Sequence, residues 1–327
     1  MVALLTLVEA VNLALKEEMA RDPRVAVLGE DVGRKGGVFG ATRGLQQAFG
    51  ELRVLDAPVA EIGIAGVAIG AAFAGLRPVA EFQFADYILP AFDQIANEAA
   101  TISYRSNGGW ACPVVFRAPC GAGVHGGLYH SQSVEAYFAH VPGLIVVVPS
   151  NPPDAKGLLK SAIRDDNPVV FFEHKGSYRR ERQETPEGEA LVPLGQARLE
   201  RTGDTLAVVT YGIGVHWARQ AAGEVAPEGI SVEILDLRTV HPLDREAIAR
   251  SVQKTNRALI VHEANKTLGV GAELAAFLAE ELFDTLDAPI MRVAARDCHV
   301  PYAGAQESAI IPGPAEVADA MRRLAAY

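Results

Sequence analysis

Three short segments of the chain carry side chains suited to proton transfer and to binding a ring: GEDVG at residues 29–33, DAPVAE at residues 56–61 and EFQFADY at residues 81–87. Each segment follows or ends a short apolar run of the kind that forms a buried strand. Glu61 begins a helical pattern, where the helix dipole helps to keep a carboxylate ionised. On pattern alone, an acid at a helix start is more often only a solvated charge. The sharper hypothesis is a sheltered carboxylate that binds a ligand and controls its proton.

A glycine-rich loop, GAGVHG at residues 121–126, matches the dinucleotide-binding fingerprint and follows a predicted strand. A Rossmann fold also needs an acidic residue about 20 positions further on, which binds the ribose hydroxyls. The chain has VVVPS at residues 146–150 instead. The pattern therefore disfavours a dinucleotide-dependent dehydrogenase. It favours glycines that let the backbone pass close to a ligand or to a neighbouring loop.

Two histidines in this region, His125 and His130, allow two further interpretations. Their spacing of five residues could suit a zinc ion, but no neighbouring carboxylate supports a metal site. Cys120 could act as a nucleophile with His125 as its base, but no pattern in the sequence brings the two side chains together. Both interpretations remain minor alternatives to ordinary hydrogen-bonding roles.

Short β-branched runs alternate with longer helical stretches along the whole chain, which predicts an α/β fold. Such strands are apolar throughout because helices cover both faces of a parallel sheet, and ligands collect at the carboxyl ends of the strands. We therefore expect two domains, each a mostly parallel sheet covered by helices. The predicted strands are residues 25–28, 54–55, 78–82, 114–117, 144–148 and 169–172, then 206–210, 232–235, 259–261 and 290–293.

The composition of the chain changes between its two halves, where the segment RRERQETPEGE is rich in charged residues. This change is typical of a solvated connection between two domains. We expect a first domain at residues 1–186, a linker at residues 187–204 and a second domain at residues 205–327.

Two predicted helices of the first domain have distinct sequence signals. Thr6 and Glu9 form a capping-box pattern at the start of the first helix. A later helix carries Gly63, Gly66 and Gly70, which leave one face almost without side chains. Glycine costs a helix about 1 kcal/mol relative to alanine, so three in one helix indicate close packing by another helix. That second helix could belong to the same chain or to another subunit.

Composition and charge disfavour several classes of function. With 327 residues and 49% hydrophobic content, the chain can bury a large core. A formal net charge of −10 argues against a nucleic-acid surface, which needs clustered Lys and Arg. Three cysteines without close pairing argue against a disulfide framework and fit a cytoplasmic protein. The sequence has neither a cationic signal-peptide start nor an apolar run of about 20 residues, so we expect no export and no membrane contact.

Longer stretches around these segments resemble one family. LGEDVG, GLRPVAEFQFADY, HSQSVEAYFAHVPGL and LDLRTVHPLD are similar, in order and across nearly the whole chain, to the β subunit of the thiamine-diphosphate-dependent decarboxylating component of 2-oxo acid dehydrogenase complexes. The resemblance implies a transketolase-like pyrimidine-binding domain followed by a transketolase C-terminal domain. It also implies oxidative decarboxylation of a 2-oxo acid and transfer of the acyl group to the lipoyl group of an acyltransferase.

The resemblance assigns roles to individual residues. Glu61 would hydrogen-bond the aminopyrimidine ring of thiamine diphosphate and favour the tautomer that takes the proton from the thiazolium carbon. Tyr87 would stack on the pyrimidine ring, and Gln83 would lie near the substrate. His130 would transfer protons and deliver the acyl group to the lipoyl group. The implied cofactor-binding residues are Glu30, Val59, Ala60, Glu61 and Tyr87, and the implied substrate-binding residues are Gln83, Tyr87 and His130.

The resemblance also implies a second polypeptide and metal ions. Thiamine-dependent enzymes bind the diphosphate through Mg²⁺ with a Gly-Asp-Gly motif and a later Asn, and this sequence contains no Gly-Asp-Gly. We therefore expect the Mg²⁺ ligands on an α subunit, in an α₂β₂ heterotetramer. A structural K⁺ of the family would match Cys112, Val114, Ala162, Asp165 and Asn167.

Details of the sequence favour branched-chain 2-oxo acids as substrates. His174 in FFEHK and the stretches WACPVVFRAP and LDAPIMRVA are more similar to branched-chain than to pyruvate members. Pyruvate remains the alternative, because partner residues are expected to complete the substrate pocket. Ala57 stands where the family usually has Thr, which removes a hydroxyl near Glu61. An alternative of another class is a non-catalytic scaffold subunit, in which Glu61 and His130 would be dispensable.

Overall fold

Two compact units make up the part of the chain that the computed structural model describes, residues 2–327. Met1, the first residue of the predicted first domain, lies outside the described residues. The first unit comprises residues 2–120 and 137–194, and the second unit comprises residues 121–136 and 195–327.

The observed units group the chain differently from the predicted domains, both at residues 121–136 and within the predicted linker, which the units divide between residues 194 and 195. The predicted first domain contains residues 121–136, whereas contacts group this loop with the second unit. The physical reason is that buried carboxylates of the second unit, Glu263 and Glu307, accept hydrogen bonds from the loop. The local sequence of the loop, in which Gly121, Gly123, Gly126 and Gly127 are glycines, contains no signal for these distant partners.

The first unit alternates strands and helices. The hydroxyl of Thr6 accepts a hydrogen bond from the Glu9 amide, and the Glu9 carboxylate accepts one from the Thr6 amide at 2.8 Å, so the predicted capping box is confirmed. In chain order the elements up to residue 194 are β1 (Val2–Leu5), α1 (Leu7–Arg21), β2 (Val25–Gly29), α2 (Leu45–Phe49), β3 (Val54–Asp56), α3 (Glu61–Phe73), β4 (Arg77–Glu81), α4 (Ile102–Arg105), β5 (Val115–Cys120), α5 (Glu135–Ala139), β6 (Ile145–Val147), α6 (Pro152–Arg164), β7 (Val169–His174) and β8 (Gln183–Pro186).

Six strands of the first unit lie side by side in a parallel sheet, in the order β6-β7-β5-β4-β2-β3. β1 and β8 form a separate antiparallel pair. The core of the unit lies where α1 and α6 pack together with the strands, and each large apolar side chain buried there stabilises the fold by about 1.5–3 kcal/mol. Its buried members include Leu7, Val11, Leu15, Val27, Val79, Leu158, Leu159, Ile163 and Phe171.

The second unit repeats the alternation on a smaller scale. Its sheet has the order β14-β13-β10-β11-β9, with β9 antiparallel to β11 and the other pairs parallel. A core of buried residues around Trp217 and Met321 lies against this sheet. The elements are β9 (Arg198–Arg201), β10 (Leu206–Thr210), α7 (Ile213–Val225), β11 (Val232–Asp236), β12 (Thr239–His241), α8 (Arg245–Thr255), β13 (Ala258–Asn265), α9 (Val270–Glu281), β14 (Met291–Ala295), α10 (Gly304–Ser308) and α11 (Pro314–Ala325).

The predicted α/β class, with two mostly parallel sheets covered by helices, is confirmed. One edge strand departs from expectation, because β9 lies inside the predicted linker at residues 187–204. The charged residues of β9 are typical of a solvated connection. They are also compatible with a strand, because β9 lies half-exposed at the edge of its sheet. None of the helices within residues 2–327 combines the length and the apolar character of a membrane-spanning segment.

Candidate cofactor-binding site

The three acid-bearing segments follow three neighbouring strands. β3, β2 and β4 are parallel, and Gly29 at the end of β2 is paired in register with Asp56 of β3 and Glu81 of β4. The carboxyl ends of parallel strands meet at one edge of the sheet, so the segments that follow are brought together there. Gly29 has φ +158°, and a Cβ atom on it would lie 2.3 Å from the Glu81 carbonyl oxygen, so the close approach requires glycine.

Hydrogen bonds join these segments to one another. The Gly33 amide donates to the Asp56 carboxylate at 2.6 Å. The Ala57 amide donates to the Gly29 carbonyl at 2.8 Å. The side-chain amide of Gln83 donates to the Asp31 carboxylate at 3.3 Å. All of these bonds lie within the first unit. None of them requires a hydroxyl group on the side chain at position 57.

Glu30 and Glu61 form an acidic pair at this edge. Glu30 is 5% exposed, and the Ala60 amide donates a hydrogen bond to its carboxylate. Burial, then the nearby charges of Glu61 and Asp31, raise the pKa of Glu30 above its ordinary value. Glu61 is the first residue of α3 and is half-buried. The two carboxylates therefore lie close enough for the charge of Glu61 to affect Glu30.

Residues within the first unit supply a buried acceptor for a ligand at this edge. The Oε1 atom of Glu30 is buried, and no donor within residues 2–327 reaches it. A buried polar atom left without a hydrogen bond costs about 1–3 kcal/mol, so such an atom commonly serves a ligand. The N–H groups of an aminopyrimidine ring are suitable donors for carboxylates, and the pair Glu30 and Glu61 therefore fits the ring of thiamine diphosphate.

Tyr87 and Gln83 lie in the segment that follows β4, and both are half-buried. The Tyr87 ring packs edge-on against Phe84, with ring centroids 5.7 Å apart. Phe84 packs in the same manner against Phe39 at 5.6 Å. This chain of aromatic contacts fixes the orientation of the tyrosine ring, which is what a stacking surface for a heterocycle requires.

The start of α3 presents an apolar surface to the outside of the chain. Val59 is 81% exposed, Ile62 is 55% exposed and Val67 is 61% exposed. Gly63 and Gly70 of the same helix are also exposed. We call these five residues the α3 surface. Within residues 2–327 no heavy atom would lie within 4 Å of a Cβ atom on Gly70, whereas a Cβ atom on Gly66 would lie 3.9 Å from the side chain of Gln94. The close packing of another helix on this face stays a prediction.

A buried ion network that sequence reasoning missed lies beneath the segment of residues 81–87. The Arg117 guanidinium donates two bonds of 2.6 Å to Glu173 and one of 2.5 Å to Glu81, and all three residues are almost fully buried. Burial alone would lower the pKa of Arg117, but the two carboxylates raise it well above its ordinary value. The available signal was a charge inside an apolar strand, in VVFRAP and in VVFFEH.

His130 belongs to the second unit and is half-buried, directly after the short 3₁₀ turn Gly127–Tyr129. Its amide donates to the Gly127 carbonyl at 3.3 Å. The ring of His125 hydrogen-bonds the Glu307 carboxylate. Cys120 is 2% exposed at the end of β5, which disfavours a nucleophilic role. Within residues 2–327 no group of three or more His, Cys, Asp or Glu side chains is arranged to hold a metal ion.

Of the five residues that match the potassium site, Asp165 already has a cationic partner, and the K⁺ site stays a prediction. The Arg77 guanidinium already donates to the carbonyls of Asp165 at 2.9 Å and of Ile163 at 3.0 Å, and it pairs with the Asp166 carboxylate at 2.5 Å. A K⁺ on the same oxygens would lie close to this positive charge. Of the other predicted ligands, the carbonyls of Cys112 and Val114 accept backbone amides, Asn167 donates to the Asp165 carboxylate, and Ala162 is buried in α6.

Comparisons with known proteins cover nearly the full length of the chain. The family model described as transketolase, pyrimidine binding domain, matches residues 4–181, and the model described as transketolase, C-terminal domain, matches residues 195–317. A solved structure of a split gene transketolase, described as an inactive beta4 tetramer, superposes with a TM-score of 0.77 at 22% identity and covers 99% of both chains. This last likeness supports the fold alone.

Curated relatives are more similar in sequence. The chain is 55% identical to the 2-oxoisovalerate dehydrogenase subunit beta of Bacillus subtilis, over 99% of this chain and 100% of the relative. It is 46% identical to the protein of that name from Pseudomonas aeruginosa, over 98% and 95% of the two chains. It is 47% identical to the pyruvate dehydrogenase E1 component subunit beta of Bacillus subtilis, over 98% and 99%. The predicted family is confirmed: the chain belongs to the β subunits of 2-oxo acid dehydrogenases, with the pyrimidine-binding and C-terminal domains of transketolase.

Proposed function

We propose that the chain is the β subunit of a thiamine-diphosphate-dependent dehydrogenase of branched-chain 2-oxo acids. The acidic pair Glu30 and Glu61, at the edge where three parallel strands end, carries the proposal. The relatives named 2-oxoisovalerate dehydrogenase support the branched-chain substrate, and the one from Bacillus subtilis is 55% identical to this chain. Pyruvate is the second candidate, because a pyruvate dehydrogenase subunit is 47% identical.

Each site residue has a task that suits its surroundings. Glu61, at the start of α3, would hydrogen-bond the aminopyrimidine ring and set its protonation. Val59 and Ala60 would contact the ring, and Glu30 would supply a second, buried acceptor. Tyr87 offers its ring for stacking, and Gln83 lies toward the substrate. When bound, thiamine diphosphate supplies the electron sink for decarboxylation of the 2-oxo acid.

His130 is the proposed proton-transfer group for delivery of the acyl group to a lipoyl group. An imidazole that titrates near neutral pH can both donate and accept a proton during such a transfer. The lipoyl group belongs to an acyltransferase of the complex, which is a proposed partner of this subunit.

A second chain completes the proposed enzyme. An α subunit supplies the Mg²⁺ ligands and the diphosphate-binding residues, in an α₂β₂ heterotetramer. The exposed apolar α3 surface beside Glu61 supports this arrangement, because it requires cover by another polypeptide. A K⁺ ion at the five residues predicted for it stays a prediction, although the Asp165 carbonyl already accepts a hydrogen bond from Arg77. Cys112, Cys120 and Cys298 are all free, which agrees with a reducing, cytoplasmic location.

The substitution Glu61→Gln in the reconstituted α–β enzyme tests the proposal. Proton-transfer groups contribute about 10² to 10⁴ in rate, so we expect kcat for 2-oxoisovalerate to fall by about that factor. Glu51→Gln is the matched control, because Glu51 is an exposed acid of the same unit, and it should retain parental activity. Parallel assays with pyruvate decide the substrate, and a preference for pyruvate in kcat/KM would select the second candidate.

The non-catalytic scaffold makes the opposite prediction for Glu61→Gln. Activity within a few-fold of the parent, with thiamine diphosphate still bound, would refute the proposed role of Glu61. Calorimetric titration of thiamine diphosphate into both variants separates a loss of binding from a loss of rate.

A further inference from the structure

The loop of residues 121–136, which carries His130, is fastened to the second unit by two buried carboxylates. The Glu263 carboxylate accepts the Ala122 amide at 2.7 Å and the Ser133 hydroxyl at 3.0 Å, so one side chain ties both ends of the loop. The Gly121 amide donates to the Gln132 carbonyl at 3.0 Å and closes the base. Glu263 lies in β13, a strand with buried neighbours on the parallel sheet.

Glu307 fastens the middle of the same loop. It lies in α10 and is 4% exposed, yet its carboxylate accepts the Gly123 amide at 2.6 Å and bonds the ring of His125. The His125 side chain is 64% exposed and stands in the left-handed region with φ +55°. A buried carboxylate that holds both a backbone amide and an imidazole fixes a backbone conformation that a histidine otherwise adopts rarely.

The next residues of the loop transmit this constraint to His130. A Cβ atom on Gly126 would lie 2.5 Å from the Cβ atom of His130, so the two residues are in direct contact. Gly127 has φ +62°, and a Cβ atom on it would lie 2.4 Å from the ring of Tyr302. The backbone between His125 and His130 is therefore in close contact with Tyr302 at Gly127 and with His130 at Gly126.

We propose that Glu307 is a positioning residue for His130, acting through its bonds to Gly123 and His125. Glycine-rich loops lose much conformational entropy on ordering, so a loop with Gly121, Gly123, Gly126 and Gly127 needs fixed anchors to hold one side chain in place. This inference rests on the proposed role of His130 in acyl delivery. Displacement of a reacting group by about 1 Å can cost about 10²-fold in rate.

The test compares Glu307→Gln with Glu281→Gln in the reconstituted α–β enzyme. Glu281 is an exposed acid at the end of α9 and serves as the control. We expect Glu307→Gln to lower kcat about 10²-fold with a lipoyl-domain acceptor and much less with an artificial electron acceptor, while KM for the 2-oxo acid stays unchanged. Glu307→Asp, which keeps the charge, should recover part of the rate. His125→Ala keeps the Gly123 bond and should show a smaller loss.

Hydrogen exchange supplies a readout that does not depend on activity. In Glu307→Gln the amides from Gly123 to His130 should exchange at least tenfold faster, whereas the amides of β13 should not change. Unchanged exchange in this loop together with a lipoyl-dependent rate within twofold of the parent would overturn the inference. Substitution of His130 by alanine separates this failure from that of the proposed function. If His130→Ala lowers the lipoyl-dependent rate and Glu307→Gln does not, only the positioning role is wrong.

Discussion

Glu30 is a proposed ligand-binding residue whose burial lowers the free energy of unfolding when its carboxyl is ionised. Its carboxyl is buried beside Glu61 and Asp31, and its pKa is raised above the ordinary value of 4.5. The folded chain therefore binds this proton more tightly than the unfolded chain does. Ionisation of Glu30 must lower the free energy of unfolding as the pH rises above 4.5.

We predict that Glu30→Gln stabilises the isolated β chain at pH 7 and above. The substituted amide keeps an oxygen for the Ala60 amide but carries no charge to repel Glu61. The gain should shrink as the pH falls and should vanish below 4.5, where the Glu30 carboxyl is protonated in both the folded and the unfolded chain. Urea unfolding at several pH values measures it, with the exposed Glu51→Gln as the control. An equal gain at every pH would contradict the electrostatic explanation.

At the residue scale the sequence was a poor guide to burial. The family resemblance, rather than the types and spacing of the residues, assigned Glu30, Glu61 and Tyr87 to one site, and that assignment stays a prediction. The register at Gly29 explains why their segments end at the same edge of the sheet. The raised pKa of Glu30 was not predictable, because it depends on how three strand ends shield one carboxyl from water. Arg117 was missed for the same reason, since a counter-charge on another strand has no signature in local sequence.

At the scale of elements, strands β4, β5 and β7 are linked by the side chains of Glu81, Arg117 and Glu173. A buried ion pair that loses one partner leaves an uncompensated charge, which costs about 3–5 kcal/mol. We predict that Arg117→Leu lowers the free energy of unfolding by at least that amount, as measured by urea unfolding followed with near-ultraviolet circular dichroism. Arg105→Leu is the control, because Arg105 pairs with Glu98 on the surface and should contribute less than about 1 kcal/mol. Equal losses would mean that the network does not order these strands.

The strands were predictable from short β-branched runs, whereas two other elements were not. β9 carries alternating charged residues because it is an edge strand, and the same composition is typical of a linker. The loop of residues 121–136 is held by the amides of Ala122 and Gly123, whose partners, Glu263 and Glu307, lie more than a hundred residues further along the chain. Local periodicity reports which face of an element is buried, but contacts at this separation arise only when the domain folds.

At the scale of the whole molecule, the exposed α3 surface is the proposed contact with the α subunit. Val67 is 61% exposed on the helix that begins with Glu61, and its neighbours Gly63 and Gly70 are exposed as well. We predict that Val67→Glu prevents assembly with the α subunit, because a charge buried in an apolar interface costs several kcal/mol. The folded β chain should be unaffected, since the side chain already faces water. Size-exclusion chromatography of the mixed subunits and circular dichroism of the β chain measure the two effects.

Leu191→Glu, at a side chain 45% exposed elsewhere in the same unit, is the control and should still assemble. If Val67→Glu assembles as well as the control does, the partner must bind another face and complete the site at Glu61 without covering α3.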